Sequence, residues 1–176
     1  MNLTTKIASN QTETWWCHDS KDYHGVEFNV RQMLNLLGYT DDLSKAASRF
    51  IGKSYIFYDK AEEHQEKKNY YFKKVEECHF KTLQILGGNT KLAKLYKDWW
   101  EYFLKRNYPS TAYYLIIYHV AGFKGIKKIF SPIACVLFIL AGFFGHNKRK
   151  KETNIFFLSL YWKLITSLKI KNFVTY

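Results

Sequence analysis

The chain has 176 residues, 47% hydrophobic and 24% charged, which suits one compact folded unit with an appendage and excludes two full domains. Its formal net charge of +12 is uneven: residues 1–123 carry +3, whereas residues 124–176, the most apolar third, carry +9 around a single acid, Glu152. A mean hydropathy of −0.33 excludes a polytopic membrane protein but leaves room for one span, and 19% aromatics with only two prolines exclude extensive disorder.

Residues 1–24 are polar apart from the pair Trp15-Trp16 and lack the apolar core of a signal peptide. The amino-terminal part is therefore expected in the cytosol. Cys17, Cys78 and Cys135 are widely spaced and form no CxxC pair, which points to neither a disulfide framework nor a zinc site. Val26, Val30, Met33, Leu34 and Leu37 recur at three- and four-residue intervals and predict a short amphipathic helix over 26–37. Gly38 stops it, and Asp41-Asp42 suit the first turn of the next.

From Leu43 to Leu86 there is no proline and one glycine, Gly52. Ala47, Phe57, Ala61, Val75 and Cys78 continue the helical spacing, either in one helix of about 65 Å or in two broken near Gly52 or Asn69. Gly87-Gly88-Asn89-Thr90 reads as a turn. The next helix, over 91–106, carries a broad aromatic face with Trp99, Trp100 and Phe103. Adjacent tryptophans on a helix point about 100° apart, so one is assigned to the core and the other, with Phe103, to a contact between subunits. The fold expected is all-α. Long helices form a cytosolic domain over 1–107, and a membrane-associated region follows over 108–176.

Ile129 to Gly145 is 17 residues without charge, about 25 Å as a helix, at the short limit for a bilayer core. Ile129, Pro132, Leu137, Leu140, Phe143 and Gly145 belong to this expected span. Lys124, Lys127 and Lys128 before it, and Lys148, Arg149, Lys150 and Lys151 after it, suit lipid headgroups. Tyr108 to Phe123 is a second uncharged run, either a further span or, given its tyrosines, a segment at the interface. Ile155 to Leu168 is apolar apart from Lys163. One span accompanied by semi-apolar helices leaves faces to cover, and a single helix encloses no aqueous path, so any pore requires a homo-oligomer.

No P-loop, dinucleotide fingerprint, GxSxG elbow or HExxH motif occurs. His18 and His24 with Cys17, Asp19 and Asp22 have ligand chemistry but no regular spacing, and Glu62-Glu63-His64 reads as a solvated helix face. No metal, cofactor or catalytic residue is expected. Helical RNases of the HEPN superfamily pair an Arg with a His four to six residues later on one helix face. Arg31, Arg49, Arg106 and Arg149 have no such partner, and Lys74 with His79 is a poor substitute because lysine lacks the guanidinium fork. Direct nucleic-acid binding is left open.

In length and layout, with a helical first part, one late apolar span and a degenerate RNase pattern, the chain resembles the small transmembrane accessory proteins of type VI-B CRISPR systems, the Csx-twenty-eight family. That resemblance implies an oligomeric pore in the bacterial inner membrane, functionally linked to an RNA-guided RNase whose defence it enhances by depolarisation. A two-span effector of another bacterial defence system and a divergent HEPN-type RNA-binding or RNase module are the alternatives.

Overall fold

The computed structural model describes residues 2–86 and 150–168, together with positions 136, 137, 140, 141 and 144. The described residues contain helix and turn and no strand, as the all-α reading expects.

The largest departure from expectation is at the start, where α1 spans Leu3–Asp19. Asn2 caps it, its Oδ1 accepting from Thr5 N at 2.9 Å. The residues buried on α1 are Ile7, Ala8, Gln11, Thr12, Thr14 and Trp15. The helical period is therefore present, but half of the inward positions are polar, so an apolar-periodicity reading passes over them. Thr14 satisfies itself locally, donating to Asn10 O at 2.8 Å, and Thr12 Oγ1 lies 3.0 Å from Ala8 O.

A tight turn leads into α2 (Tyr23–Leu36), whose first turn Asp22 caps by accepting from Gly25 N at 2.9 Å. Lys21 in this turn holds φ at 56°, a left-handed conformation that costs a side-chain-bearing residue about 1 kcal/mol. Gly25 allows the turn to close: a Cβ there would lie 2.3 Å from Asp22 Oδ2 and 2.6 Å from Cys17 Sγ. α2 buries Val26, Val30, Met33 and Leu34, as predicted. It ends in a Schellman motif, with Gly38 at φ 95°, Gly38 N donating to Asn35 O and Tyr39 N to Leu34 O.

α3 (Asp41–Glu63) starts on the Thr40 cap with Asp41 and Asp42 in its first turn. Arg31 of α2 grips the Asp41 carboxylate with two guanidinium hydrogen bonds, and Asn35 adds a third. This guanidinium, with the amide, holds the Asp41 carboxyl down at about 2. The helix runs straight through Gly52, which is buried where α3 crosses α2. The break falls instead on the Asn69 side, where His64 leaves helical geometry and a 3-10 turn, Gln65–Lys67, leads into α4 (Lys68–Ile85). Residues 62–67 are all exposed, so no buried side chain holds the chain helical across 64–67. α4 folds back along α3, burying Val75 and Leu83 against Phe57, Tyr58, Phe72 and Phe80.

The last described helix, α5 (Lys151–Leu168), packs against α1. Leu158, Tyr161 and Trp162 of α5, with Ala141, join Ile7 and Trp15 of α1, Met33 of α2 and Ile51 of α3 in one continuous core. Residues from 1–107 and from 108–176 thus share a single apolar interior.

Two glycines give opposite tests of this packing. Gly25→Ala forces apart the Asp22 carboxylate and the Cys17 thiol and should lower stability by about 1–3 kcal/mol. A Cβ at Gly52 meets only ordinary contacts at 3.7 Å. Gly52→Ala should therefore raise stability by about 0.5–1 kcal/mol through helix propensity. Urea unfolding monitored by circular dichroism reads both.

Candidate functional site

The contact between α1 and α5 is unusual in what it buries. Thr12 Oγ1 donates to Asn154 Oδ1 at 2.5 Å, and Asn154 Nδ2 donates to the Ala141 carbonyl at 2.5 Å. Trp162 Nε1 donates to Gln11 Oε1 at 2.6 Å. Gln11, Thr12 and Asn154 are wholly buried. Toward one end of the contact, the hydroxyls of Thr4 and Thr5 each lie 3.3 Å from Ser159 Oγ. At the other, Lys151 Nζ pairs with Glu13 at 2.9 Å and sits 4.8 Å from the Trp16 ring centroid. These contacts run in opposite chain directions, so α1 and α5 are antiparallel. The seam is polar through its centre, and Gln11 Nε2 is buried without a hydrogen-bond partner among the described residues.

Sequence reasoning missed these residues because each is small and polar with no motif around it. The available signal was their spacing. Thr12 stands four residues from Ala8, and Asn154 stands four and eight residues from Leu158 and Trp162, in the inward stripe of each helix.

Five positions of the expected span at 129–145 are described, and all five are helical. Leu137 packs on the core, Ala141 is fully buried, and Phe144 stacks on Phe157 with ring centroids 5.7 Å apart. Val136 and Leu140 are exposed, at 54% and 36%. Among the described positions, Leu137, Ala141 and Phe144 therefore turn toward the packed side and Val136 and Leu140 turn outward. No helix among the described residues is long and apolar enough to cross a membrane. Ile129, Pro132, Phe143 and Gly145 lie outside the described residues, as do Lys124, Lys127, Lys128, Lys148, Arg149, Trp99, Trp100 and Phe103. Of the expected headgroup lysines, Lys151 is held by Glu13 and Trp16, and Lys150 is exposed with its ammonium 5.2 Å from the Phe144 ring centroid.

A second polar cluster joins α1, α2 and α3. His18 Nε2 donates to Asp59 Oδ1 at 3.0 Å, and the Tyr23 hydroxyl donates to Asp59 Oδ2 at 2.6 Å. Burial alone would raise the Asp59 pKa, but the bonds from His18 and Tyr23 outweigh it and hold the carboxyl below its ordinary value. The Tyr23 phenol is pushed far up by burial and by Asp59. Both donors point into one carboxylate, so the trio ties three helices together and presents no poised nucleophile. Cys17 is also unsuited to attack, since burial and the nearby Asp22 and Glu13 charges raise its thiol pKa. Among the described residues no group of three His, Cys, Asp or Glu side chains is placed to hold a metal ion.

Lys74 and His79 do not converge. Lys74 pairs with Glu77 at 2.8 Å on the outer side of α4, whereas His79 is only 2% exposed. Five residues is about 140° of helix, which places the two on different faces. Burial drives the His79 pKa down to about 3, so the ring is neutral at any physiological pH. An unfolded chain protonates this ring below about 6.5, so acid favours unfolding throughout the window from 6.5 to 3.

Two measurements follow from these sites. Asn154→Ala removes the partner of both Thr12 and the Ala141 carbonyl inside the seam and should cost about 1–3 kcal/mol. His79→Leu should remove a fall in stability that approaches about 1.4 kcal/mol per pH unit between pH 6 and 4, read from urea midpoints across that range. The chain matches no family model, and it has no significant match among curated proteins or solved structures.

Proposed function

We propose that the protein acts at a membrane through its late apolar, basic-flanked segment. One observation carries this reading. The segment at 129–145 is free of charge between basic clusters, and its outward positions Val136 and Leu140 are exposed hydrocarbon while Leu137 and Ala141 are covered. An apolar face left outward beside lysines and arginines is costly in water and suited to lipid. The layout resemblance extends the proposal: several copies assemble in the bacterial inner membrane, with the first helices on the cytoplasmic side. There they form a pore that depolarises the cell in support of an RNA-guided RNase. Homo-oligomerisation is part of the same reading, because one short span encloses no passage.

A helical RNase site built on Lys74 and His79 has no support from their placement. A two-span arrangement rests on Tyr108–Phe123, which lies outside the described residues.

Fractionation of cells expressing the full chain tests the proposal, with recovery in the membrane pellet after alkaline extraction as the expected result. Leu140→Arg places a charge on the outward face without disturbing the buried one. It should shift the protein toward the soluble fraction, since a charge at the centre of a span costs about 3 kcal/mol. The parent should also lower membrane potential when the RNase is triggered, as read by a voltage-sensitive dye. A soluble monomer with no effect on potential refutes the proposal.

A further inference from the structure

The reversal between α3 and α4 is made of residues that favour a helix. Residues 62–68 are EEHQEKK, with no glycine, proline, aspartate, asparagine or serine among them. Every one but His64 is among the better helix formers. Neither the 3-10 turn nor α4 has a side-chain cap at its start, and residues 62–67 are all exposed. Little holds the turn closed. Gln65 Nε2 donates to Glu62 O at 3.1 Å and Lys67 N to His64 O at 2.9 Å. Two weak pairs join Lys68 to Glu62 at 3.4 Å and His64 to Glu66 at 3.6 Å.

The two arms match each other about this point. Phe57 stacks on Tyr71 and Tyr58 on Phe72, with ring centroids 6.5 and 6.1 Å apart, and Glu62 pairs with Lys68. Each couple is centred on residue 64 or 65. We propose that two copies of this chain exchange halves across the turn, α3 and α4 of each running on as one helix, Asp41 to Ile85, antiparallel to the same helix of its partner. α4 of one copy then lies on α3 of the other with the ring pairs unchanged. α5 of one copy lies on α1 of the other through the Thr12–Asn154 seam. No described contact changes except those of the turn itself, and a short turn that a continuous helix can replace is a low-cost route to exchange. Charge selects a second copy as the partner. A two-fold axis at Gln65 sets Glu62 and Glu63 against the partner's Lys68 and the partner's Lys67, acid opposite base on both sides of the axis. The exchange does not rest on the membrane reading, although a pore assembled from such pairs would hold an even number of copies.

Light scattering of the full-length protein in detergent counts the copies, and the number should be even. Spin labels at Lys45→Cys and Lys81→Cys, both exposed positions, trace the path of the chain. The labelled chain carries alanine at Cys17, Cys78 and Cys135 and is refolded in excess unlabelled protein, so that only distances within one chain are read. One helix through 64–67 separates the labels by about 54 Å. In the closed hairpin they sit on neighbouring packed helices, whose axes are only about 10 Å apart. The long distance is expected. Gln65→Ala removes the amide that closes the turn and supplies the best helix former, so it should tighten the dimer severalfold. Glu66→Gly/Lys67→Gly disfavours the continuous helix in both copies and should weaken the dimer by about tenfold or more. These two variants keep the native cysteines and need no label, so they decide the matter if the labelled background fails to fold. A monomer at every concentration, an odd copy number, or a glycine pair that leaves the dimer intact overturns the proposal. An oligomer showing only the short distance discards the exchange and leaves the homo-oligomer of the membrane reading standing. A dimer with the long distance that is recovered in the soluble fraction does the reverse.

Discussion

The side chain of Asn154 holds three parts of the chain in register. Its oxygen accepts a hydrogen bond from the Thr12 hydroxyl of the first helix, and its amide N–H donates one to the Ala141 carbonyl in the late apolar segment. Each bond is buried, so each must be made or its lost hydration is left uncompensated. An apolar seam would tolerate sliding of α1 along α5 by a turn. A seam built on Thr12–Asn154 and Gln11–Trp162 is satisfied at one register. Specificity here comes from hydrogen bonds, and the apolar core around Ile7, Leu158 and Trp162 supplies most of the driving force.

Where inward positions are apolar, the fold was legible. Val26, Val30, Met33 and Leu34 define α2 from spacing alone, and Gly38 marks its end because only a residue without a Cβ adopts φ 95° without strain. The choice at Gly52 was open in the sequence, since a mid-helix glycine reads equally as a weak point or as a place of close approach. α3 runs unbroken through it, and the 3.7 Å contacts that an added Cβ would meet leave room for a side chain, so it is neither. α1 was not legible for a different reason. Gln11 and Thr12 occupy core positions because their partners, Trp162 and Asn154, lie 151 and 142 residues further on, and no local pattern announces a partner at that distance. The Asp59 tie has the same character, linking residues 36 and 41 positions apart through one carboxylate.

The described structure divides its electrostatics by region. The helices up to Ile85 pair their charges with one another: Arg31 with Asp41, Lys21 with Glu63, Lys74 with Glu77. Such exposed pairs contribute little to stability, but they leave that surface close to neutral. The last third has no such balance, because Glu152 is its sole acid. Lys151 reaches across to Glu13 for a partner. An excess of positive charge in the same third of the sequence as exposed Val136, Leu140 and Phe156 is the combination that distinguishes this part of the chain from the rest.

The pairing of the first described helix with the last has a consequence for biosynthesis. Thr12 and Asn154 are 142 residues apart. At a bacterial or eukaryotic synthesis rate of roughly 5–20 residues per second, α1 waits on the order of ten seconds or more for α5 to be made. A helix with an all-leucine inner face would spend that interval as an aggregation hazard. α1 waits with Gln11, Thr12 and Thr14 on that face, side chains that water solvates well. The closure of so long a loop is also entropically late, so α1, α2 and α3 can assemble first and α5 docks onto a preformed surface. The polar inner positions of α1 thus leave that helix compatible with water until α5, the later-made partner, can pair with it.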